Sequence, residues 1–503
     1  MRQPEELRAK IPLHHYVMNK AFITLIFFCC NLHVTAQNVF SIAEIIQRSQ
    51  SQSPDFKVTE TRLENRYWQY RNFRSNYNPQ VRLISNNAGP LYNNSYSPVL
   101  QPDGSILYLQ INQFNPGINF SLEQPIQWTG GVISVNSTYN YFSNLEENSS
   151  QWNGSVLNIR LSQPILSYNQ YKWDKRIQPI RYEESKRDFA ESMEAIARDA
   201  VENFFEVLQA QVDLEIAQYN VANNDTIYKI EQGRYNIGTT SKDKLLQVEL
   251  QLLRSRQDVA QSRLNLQTSS LQLRTYIGLR TDEGFELILP EEIPIIIINE
   301  EDALRYAKET RSAYIAFERR RAEADAGVAQ AKGMRYEVGV SGGFGLNNVG
   351  NSMSELYQNP AKQQFVNLSF NIPLIDWGRR KSMMQSAYAN KRLNDYLVAQ
   401  DEVTFEQTIL TQVRQFEMLR SQIDITKKAD EVAFERYNVA QNRYLIGKID
   451  ITNLNIALNE KDDAKRSYLE ALKAFWIAYY ELRRLTLYDF ASQKYLYNPT
   501  DKG

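Results

Sequence analysis

The chain writes one phrase twice, and few folds can accommodate that. "QGRYNIG" at 232–238 and "QNRYLIG" at 441–447 align with Arg234 on Arg443, Tyr235 on Tyr444 and Gly238 on Gly447, each pair 209 residues apart. The same shift carries "VLNIRLSQPIL" (156–166) onto "FVNLSFNIPLI" (365–375), with Asn158 on Asn367 and Pro164 on Pro373. Register kept over such a span points to an internal duplication, so function must use two similar halves. Length alone, 503 residues, would allow about three domains; the repeat instead predicts one architecture made of two equivalent parts.

Charge is nearly balanced, 57 basic against 58 acidic residues, so no overall field draws nucleic acid. The segment "MNKAFITLIFFCCNLHVTAQ" has Lys20 before an apolar stretch from Ala21 to Cys30, then Val34 and Ala36 at the spacing signal peptidase prefers. It reads as an export signal over 1–36, with 1–17 an extension before Met18. Both cysteines, Cys29 and Cys30, and all three histidines, His14, His15 and His33, lie in that segment. The mature chain therefore has no thiol nucleophile, no disulfide, no histidine triad and none of the usual zinc ligands. No enzyme and no cofactor is expected. Phe27 and Phe28 stand where a lipid anchor at Cys29 would need a small residue, which makes acylation the weaker reading.

No later apolar run approaches the ~20 residues of a membrane-spanning helix. Two stretches, 180–232 and 379–446, lack both Gly and Pro, and as helices they would extend roughly 80 and 100 Å. Each ends at the repeated phrase and turns into a second uninterrupted run, 239–277 and 448–498. Each half is thus a long helical hairpin with the RYxxG phrase at its tip. Helices this long need lateral partners. Leu245, Leu252, Val259, Leu266 and Leu273 recur every seven residues, accompanied by Ser255, Ser262 and Ser269; the 209 shift places Ala464, Ala471 and Ala478 on those serines, with Ala457 one heptad earlier. The pattern predicts a left-handed supercoil with a close-packing seam of small side chains.

Strands with one apolar face are expected at 117–125, 132–142, 156–164, 336–344 and 365–373, where apolar residues alternate with Asn, Ser, Gln and Arg. Trp128, Tyr141, Trp152, Tyr168 and Trp377 gather near strand ends, as in the girdles of membrane barrels. Four to six strands per chain fall short of the roughly eight that closure needs, which predicts a barrel shared among copies. Pro164 and Pro373 mark strand-to-helix junctions by ending the ladder. Capping signals at Ser41–Glu44 and at 299–302 open the two halves 258 residues apart rather than 209, leaving 49 additional residues in the first strand region. Such an excess suggests an extra hairpin around 118–142. The division expected is a first repeat over 37–279, a linker over 280–298 with Pro290 and Pro294, a second repeat over 299–487 and a tail over 488–503. "SGGFG" (341–345) reads as strand rather than phosphate loop, and "RRR" (319–321) as a solvated helix face balanced by Glu318 and Glu323.

Together the export signal, tandem halves, paired strands ending in proline, long helices and "RYNIG"/"RYLIG" resemble the TolC-type outer-membrane channel family from about Phe40 to Leu487. The resemblance implies an α+β membrane protein: long coiled-coil hairpins forming a periplasmic α-barrel, and a transmembrane β-barrel shared between the protomers of a homotrimer. It implies an outer-membrane subunit of a tripartite efflux pump or type I secretion system. Its partners would be a periplasmic adaptor, an inner-membrane RND or ABC transporter, and outer-membrane lipid. Adaptor docking would fall on Arg234, Tyr235, Gly238, Arg443, Tyr444 and Gly447. Family members often carry acids six and nine positions past the second tip Gly, where this chain has Asn453 and Ile456; Asp243, Asp450 and Asn453 are the candidates for a pore constriction. The alternative is a non-enzymatic periplasmic or surface coiled-coil protein with a soluble β domain.

Overall fold

The computed structural model describes residues 38–85, 90–279, 285–290 and 292–498; the export signal lies outside them. Two helices of 67 residues dominate, α3 (Gln170–Asn236) and α7 (Arg379–Leu445), and they begin 209 residues apart. At 1.5 Å per residue each is about 100 Å long. Each folds back on a shorter partner, α3 on α4 (Lys242–Tyr276) and α7 on α8 (Ile451–Thr486). Helix α3 starts ten residues before the Pro-free run and passes through Pro179 and Gly233, neither of which breaks it.

A partner of 35 or 36 residues covers only half of a 67-residue helix. The remaining length is covered by two helices of 22 residues, α2 (Pro54–Ser75) against α3 and α6 (Ser312–Gly333) between α3 and α7. They follow α1 (Ile42–Gln52) and α5 (Glu300–Thr310), so the α1–α2 and α5–α6 pairs match in length at the 258-residue spacing. Gln52, the last residue of α1, comes into close approach with Gly278 just past the end of α4, and the hydroxyl of Thr310, the last residue of α5, donates to the Thr486 carbonyl at the end of α8 at 2.7 Å. Each 67-residue helix thereby has company along its length, which propensity alone does not supply.

The largest core surrounds these two junctions. Phe204, Phe205, Leu273, Phe416, Leu472 and Phe475 are fully buried there, beneath α1, α5 and a small parallel sheet of β1 (Asn38–Phe40) and β8 (Phe285–Leu287). β8 lies in the expected linker. Ser41 caps α1 in a complete capping box with Glu44. The arginine triplet is not balanced from its own helix alone: Arg319 has the expected partner Glu323 but also bridges Glu184 of α3, while Arg320 and the exposed Arg321 reach Asp401 and Glu402 of α7. Sequence neighbours looked sufficient as partners, but cross-helix carboxylates lie equally close.

The second hairpin is shorter than its uninterrupted sequence suggested. α8 ends at Thr486 because Leu487 turns left-handed (φ 44°) and the chain doubles back as β11 (Tyr488–Asp489) and β12 (Lys494–Tyr495). Tyr488 stacks on Tyr306 at 3.9 Å between ring centroids, so the tail is a strap on α5 rather than a continuation of the helix.

All remaining strands belong to one antiparallel sheet: β2 (Gln80–Ser85), β3 (Tyr92–Leu100), β4 (Ile106–Phe114), β5 (Gly117–Ile126), β6 (Gly131–Asn144), β7 (Ser149–Pro164), β9 (Glu337–Gly350) and β10 (Ala361–Asn371). That is eight strands among the described residues, where four to six were expected. The number alone does not close the sheet, because among the described residues β10, β2 and β3 each keep an edge without a partner strand. The unexpected pair is β3–β4, whose turn at Pro102–Asp103–Gly104 is closed by a Gln101–Ser105 backbone bond of 2.8 Å. Apolar residues run together in "ILYL" and Pro98 interrupts the other strand, hiding the alternation, although Asp-Gly between two runs is a hairpin signal.

Candidate functional site

The hairpin tips carry the duplicated phrase, and their backbones repeat bond for bond. Thr239 N–H donates to the Arg234 carbonyl at 2.8 Å and Gly238 N–H to Tyr235 at 3.0 Å; Lys448 donates to Arg443 at 2.9 Å and Gly447 to Tyr444 at 2.9 Å. This Schellman arrangement needs a left-handed residue, and Gly238 (φ 78°) and Gly447 (φ 71°) provide it. Nothing lies within 4 Å of a Cβ at either glycine.

The side chains do not repeat. Tyr235 is 40 % exposed, whereas Tyr444 is 3 % exposed and donates its hydroxyl to Glu231 Oε1 at 2.7 Å. Arg234 bonds Glu231 at 2.6 Å, the Leu445 carbonyl at 2.9 Å, and lies 5.4 Å from the Tyr444 ring centroid. One tip is thus tied to the other through α3 and α7. Burial opposes the Glu231 charge, but the Tyr444 and Arg234 hydrogen bonds outweigh it and hold its carboxyl below the usual range. Glu231 was missed at the sequence level; its counterpart 209 residues on is Ala440, so the signal lay in where the two copies differ. Arg443, Gly238 and Gly447 are exposed. The exposed surface available to a docking partner therefore excludes the Tyr444 ring.

Of the constriction candidates, Asp450 is the N-cap of α8, accepting from Asn453 N–H at 2.9 Å and from the Asn453 side chain at 2.8 Å. Asp243 sits in the first turn of α4, capped by Ser241. All three are exposed. Along the seam Ser255, Ala457, Ala471 and Ala478 are buried, and Ser262, Ser269 and Ala464 half-buried. Ser255 also accepts from Asn224 across the α3–α4 contact at 3.2 Å.

Pro164 and Pro373 share a distance to the next helix, six residues in each case, but not a role in the ladder. Pro164 is itself paired with Gly339, and Ile165 N–H still donates to Val338 at 2.8 Å; Pro373 lies beyond the end of β10. The loops after them expose matching apolar pairs, Ile165–Leu166 and Leu374–Ile375, and Trp377 is 95 % exposed.

Register across the sheet sorts side chains into two faces. Val81, Leu122, Val135, Ile159 and Phe344 lie opposite one another in successive strands, a row that ends on Gln364 of β10, and Val366, Leu368 and Phe370 share that face further along β10. On the reverse face Arg82, Ser121, Asn136, Asn158, Gly345 and Gln363 form a row. Leu368 is 63 % and Val81 77 % exposed in the single chain. A two-faced open sheet hung above paired helical rods is the architecture of helical-hairpin outer-membrane channels. The chain belongs to the Outer membrane efflux protein family, which it matches over residues 109–279 and 312–486.

Solved structures agree on the fold. The CmeC outer membrane channel of Campylobacter jejuni is similar at a TM-score of 0.64 and 13 % identity, over 90 % of this chain and 87 % of CmeC. VceC of Vibrio cholerae gives 0.62 and 12 %, over 88 % of this chain and 95 % of VceC. MtrE of Neisseria gonorrhoeae, a structure of its open state, gives 0.59 and 14 %, over 88 % of each chain. No curated protein matches the chain in sequence.

Proposed function

We propose that the chain is one subunit of a passive, homotrimeric export duct. The strands of three copies form one barrel in the outer membrane, and the hairpins form a tunnel across the periplasm. The duct catalyses no reaction and holds no cofactor; energy comes from an inner-membrane transporter, of RND or ABC type, through a periplasmic adaptor that meets the tips. Recurrence of the 67-residue helices at 209 residues and of the shorter helix pairs at 258 supports the duplication on which this reading rests.

One observation carries the reading: a largely apolar face, exposed in the single chain, on a sheet in which, among the described residues, β10, β2 and β3 each keep an edge without a partner strand. Water would make such a face an aggregation liability, and lipid would forbid the open edges. Association into a closed wall resolves both. Membrane fractionation tests it. The duct stays in the outer membrane through salt and carbonate washes and purifies in detergent as a trimer; release by the washes as a water-soluble monomer would support the coiled-coil structural protein instead.

A further inference from the structure

Each half contributes a strand pair beside its long hairpin, β6–β7 before α3 and β9–β10 before α7, and two such pairs give four staves per chain. The first half holds more, though not as the hairpin expected around 118–142, which is β5–β6; the added strands among the described residues are β2 to β5. β2 and β3 rise one above the other, β4 and β5 descend one above the other, and this long hairpin lies beside β6: Ile118 to Ile126 pairs with β6 from Tyr139 to Gly131, while Gln113 and Phe114 pair with Asn144 and Ser143. We infer that this additional hairpin is part of the membrane wall, so that three copies contribute six staves each and build a wall of about eighteen strands rather than about twelve. The inference rests on the trimeric duct proposed above.

Three observations place the hairpin in the wall rather than over its mouth. It reaches the level of the helix junctions: Asn169, the N-cap of α3, donates to the Gln127 and Trp128 carbonyls at 3.0 and 3.1 Å, fastening the β5–β6 turn there. Within it β5, at 10 residues, meets the 9–11 residues a tilted transmembrane strand needs and pairs along its whole length with the 14-residue β6. The apolar face also extends onto it: Val81–Leu122–Val135 continues the row of Ile159 and Phe344 on β7 and β9, and Leu83–Phe120 adds a second apolar pair, which meets Ser137 at the bulge of β6. Above it β3 and β4 project past the end of β6, roughly 30 Å by their nine pairs.

The consequence concerns cargo. At equal tilt a wall of about eighteen strands is roughly one and a half times as wide as one of twelve, within the range that leaves an aqueous channel. Its inner face presents Arg82, Ser121, Asn136 and Asn158. The wall suits bulky hydrated polar solutes, and sizing of the cargo falls to the helical tunnel.

The test uses the cysteine-free mature chain with single cysteines, Phe120→Cys on β5, Leu368→Cys on β10 and Arg82→Cys on the reverse face of β2, each labelled with an environment-sensitive fluorophore in vesicles containing doxyl phospholipid. Strong lipid quenching at 120 and 368, with aqueous iodide quenching alone at 82, is expected. Quenching at 368 without quenching at 120 would overturn the inference and leave the duct intact; lipid quenching at 82 equal to that at 120 would overturn it too. Absence of lipid quenching at both 120 and 368 would remove the duct itself. Exclusion of polymers of graded size from the open pore gives the width independently, and a cut-off matching a twelve-strand wall counts against the inference.

Discussion

The phenol of Tyr444 donates a 2.7 Å hydrogen bond to the carboxylate of Glu231, so the second hairpin is tied to the first at the tip. Glu231 is also held by Arg234. Tyr444→Phe removes one donor to a buried charge and is expected to cost about 2 kcal/mol, read as faster hydrogen exchange of tip amides with the rest of the helices unchanged. Because the carboxyl is held below its ordinary value, its contribution is complete above the unfolded value of about 4.3 and disappears as pH falls through the folded one. Exchange at the tip should accelerate below about pH 4 in the wild type, and Glu231→Gln should abolish that dependence.

Gly447 and Gly238 call for a different experiment, since open space surrounds both and only the backbone constrains them. At φ 71° and 78° a side chain costs about 1–2 kcal/mol. Gly447→Asn should be tolerated better than Gly447→Glu, and Gly447→Glu should stop export while trimers persist on native gels. Wild-type export by Gly447→Glu would count against docking at this tip.

Much of the fold could be read from residues because it is locally encoded. Gly- and Pro-free runs gave the long helices, alternation gave five strands, and repeated glycines gave the turns. What escaped reading depends on partners distant in the chain. Helix α8 stops at Thr486 because Tyr306 lies ready to receive Tyr488, and nothing near Leu487 announces it. The burial of Tyr444 against the exposure of Tyr235 likewise follows from Glu231, on another helix, and two copies of one phrase gave no hint of it beyond Ala440 standing where the first copy has Glu231.

The seam makes a quantitative claim about size. Ala471 and Ala478 are buried between α8 and its neighbours, and interiors at native density have no room for three further carbons. Ala471→Leu is expected to destabilise by about 1–3 kcal/mol, while Ala471→Ser, matching the first copy's Ser262, should change little. Thermal unfolding followed by circular dichroism distinguishes the two.

The C-terminal strap offers the sharpest separation between a passive tail and a structural element. Tyr488 stacks on Tyr306, Tyr495 meets the same ring edge-on at 5.5 Å and donates to Glu309 at 3.0 Å, and Tyr497 donates to Glu183 at 2.6 Å. Asp489 accepts from Tyr479 at 2.6 Å and faces Arg483, whose other partner is Glu194. Ending the chain at Leu487 removes the ring contacts, each contributing about 0.5–1.5 kcal/mol, and leaves a partly buried arginine with one carboxylate instead of two. The expected loss is about 3 kcal/mol, concentrated in α5 and its junction with α8, where Thr310 meets Thr486. Tyr488→Ala should reproduce about a third to a half of it and Tyr488→Phe almost none, because the stack needs the ring and not the hydroxyl. Hydrogen exchange confined to 300–310 and 479–486 would locate the effect; a truncated chain with unchanged melting and exchange would show that the strap bears no load and that the helix end is set by Leu487 alone.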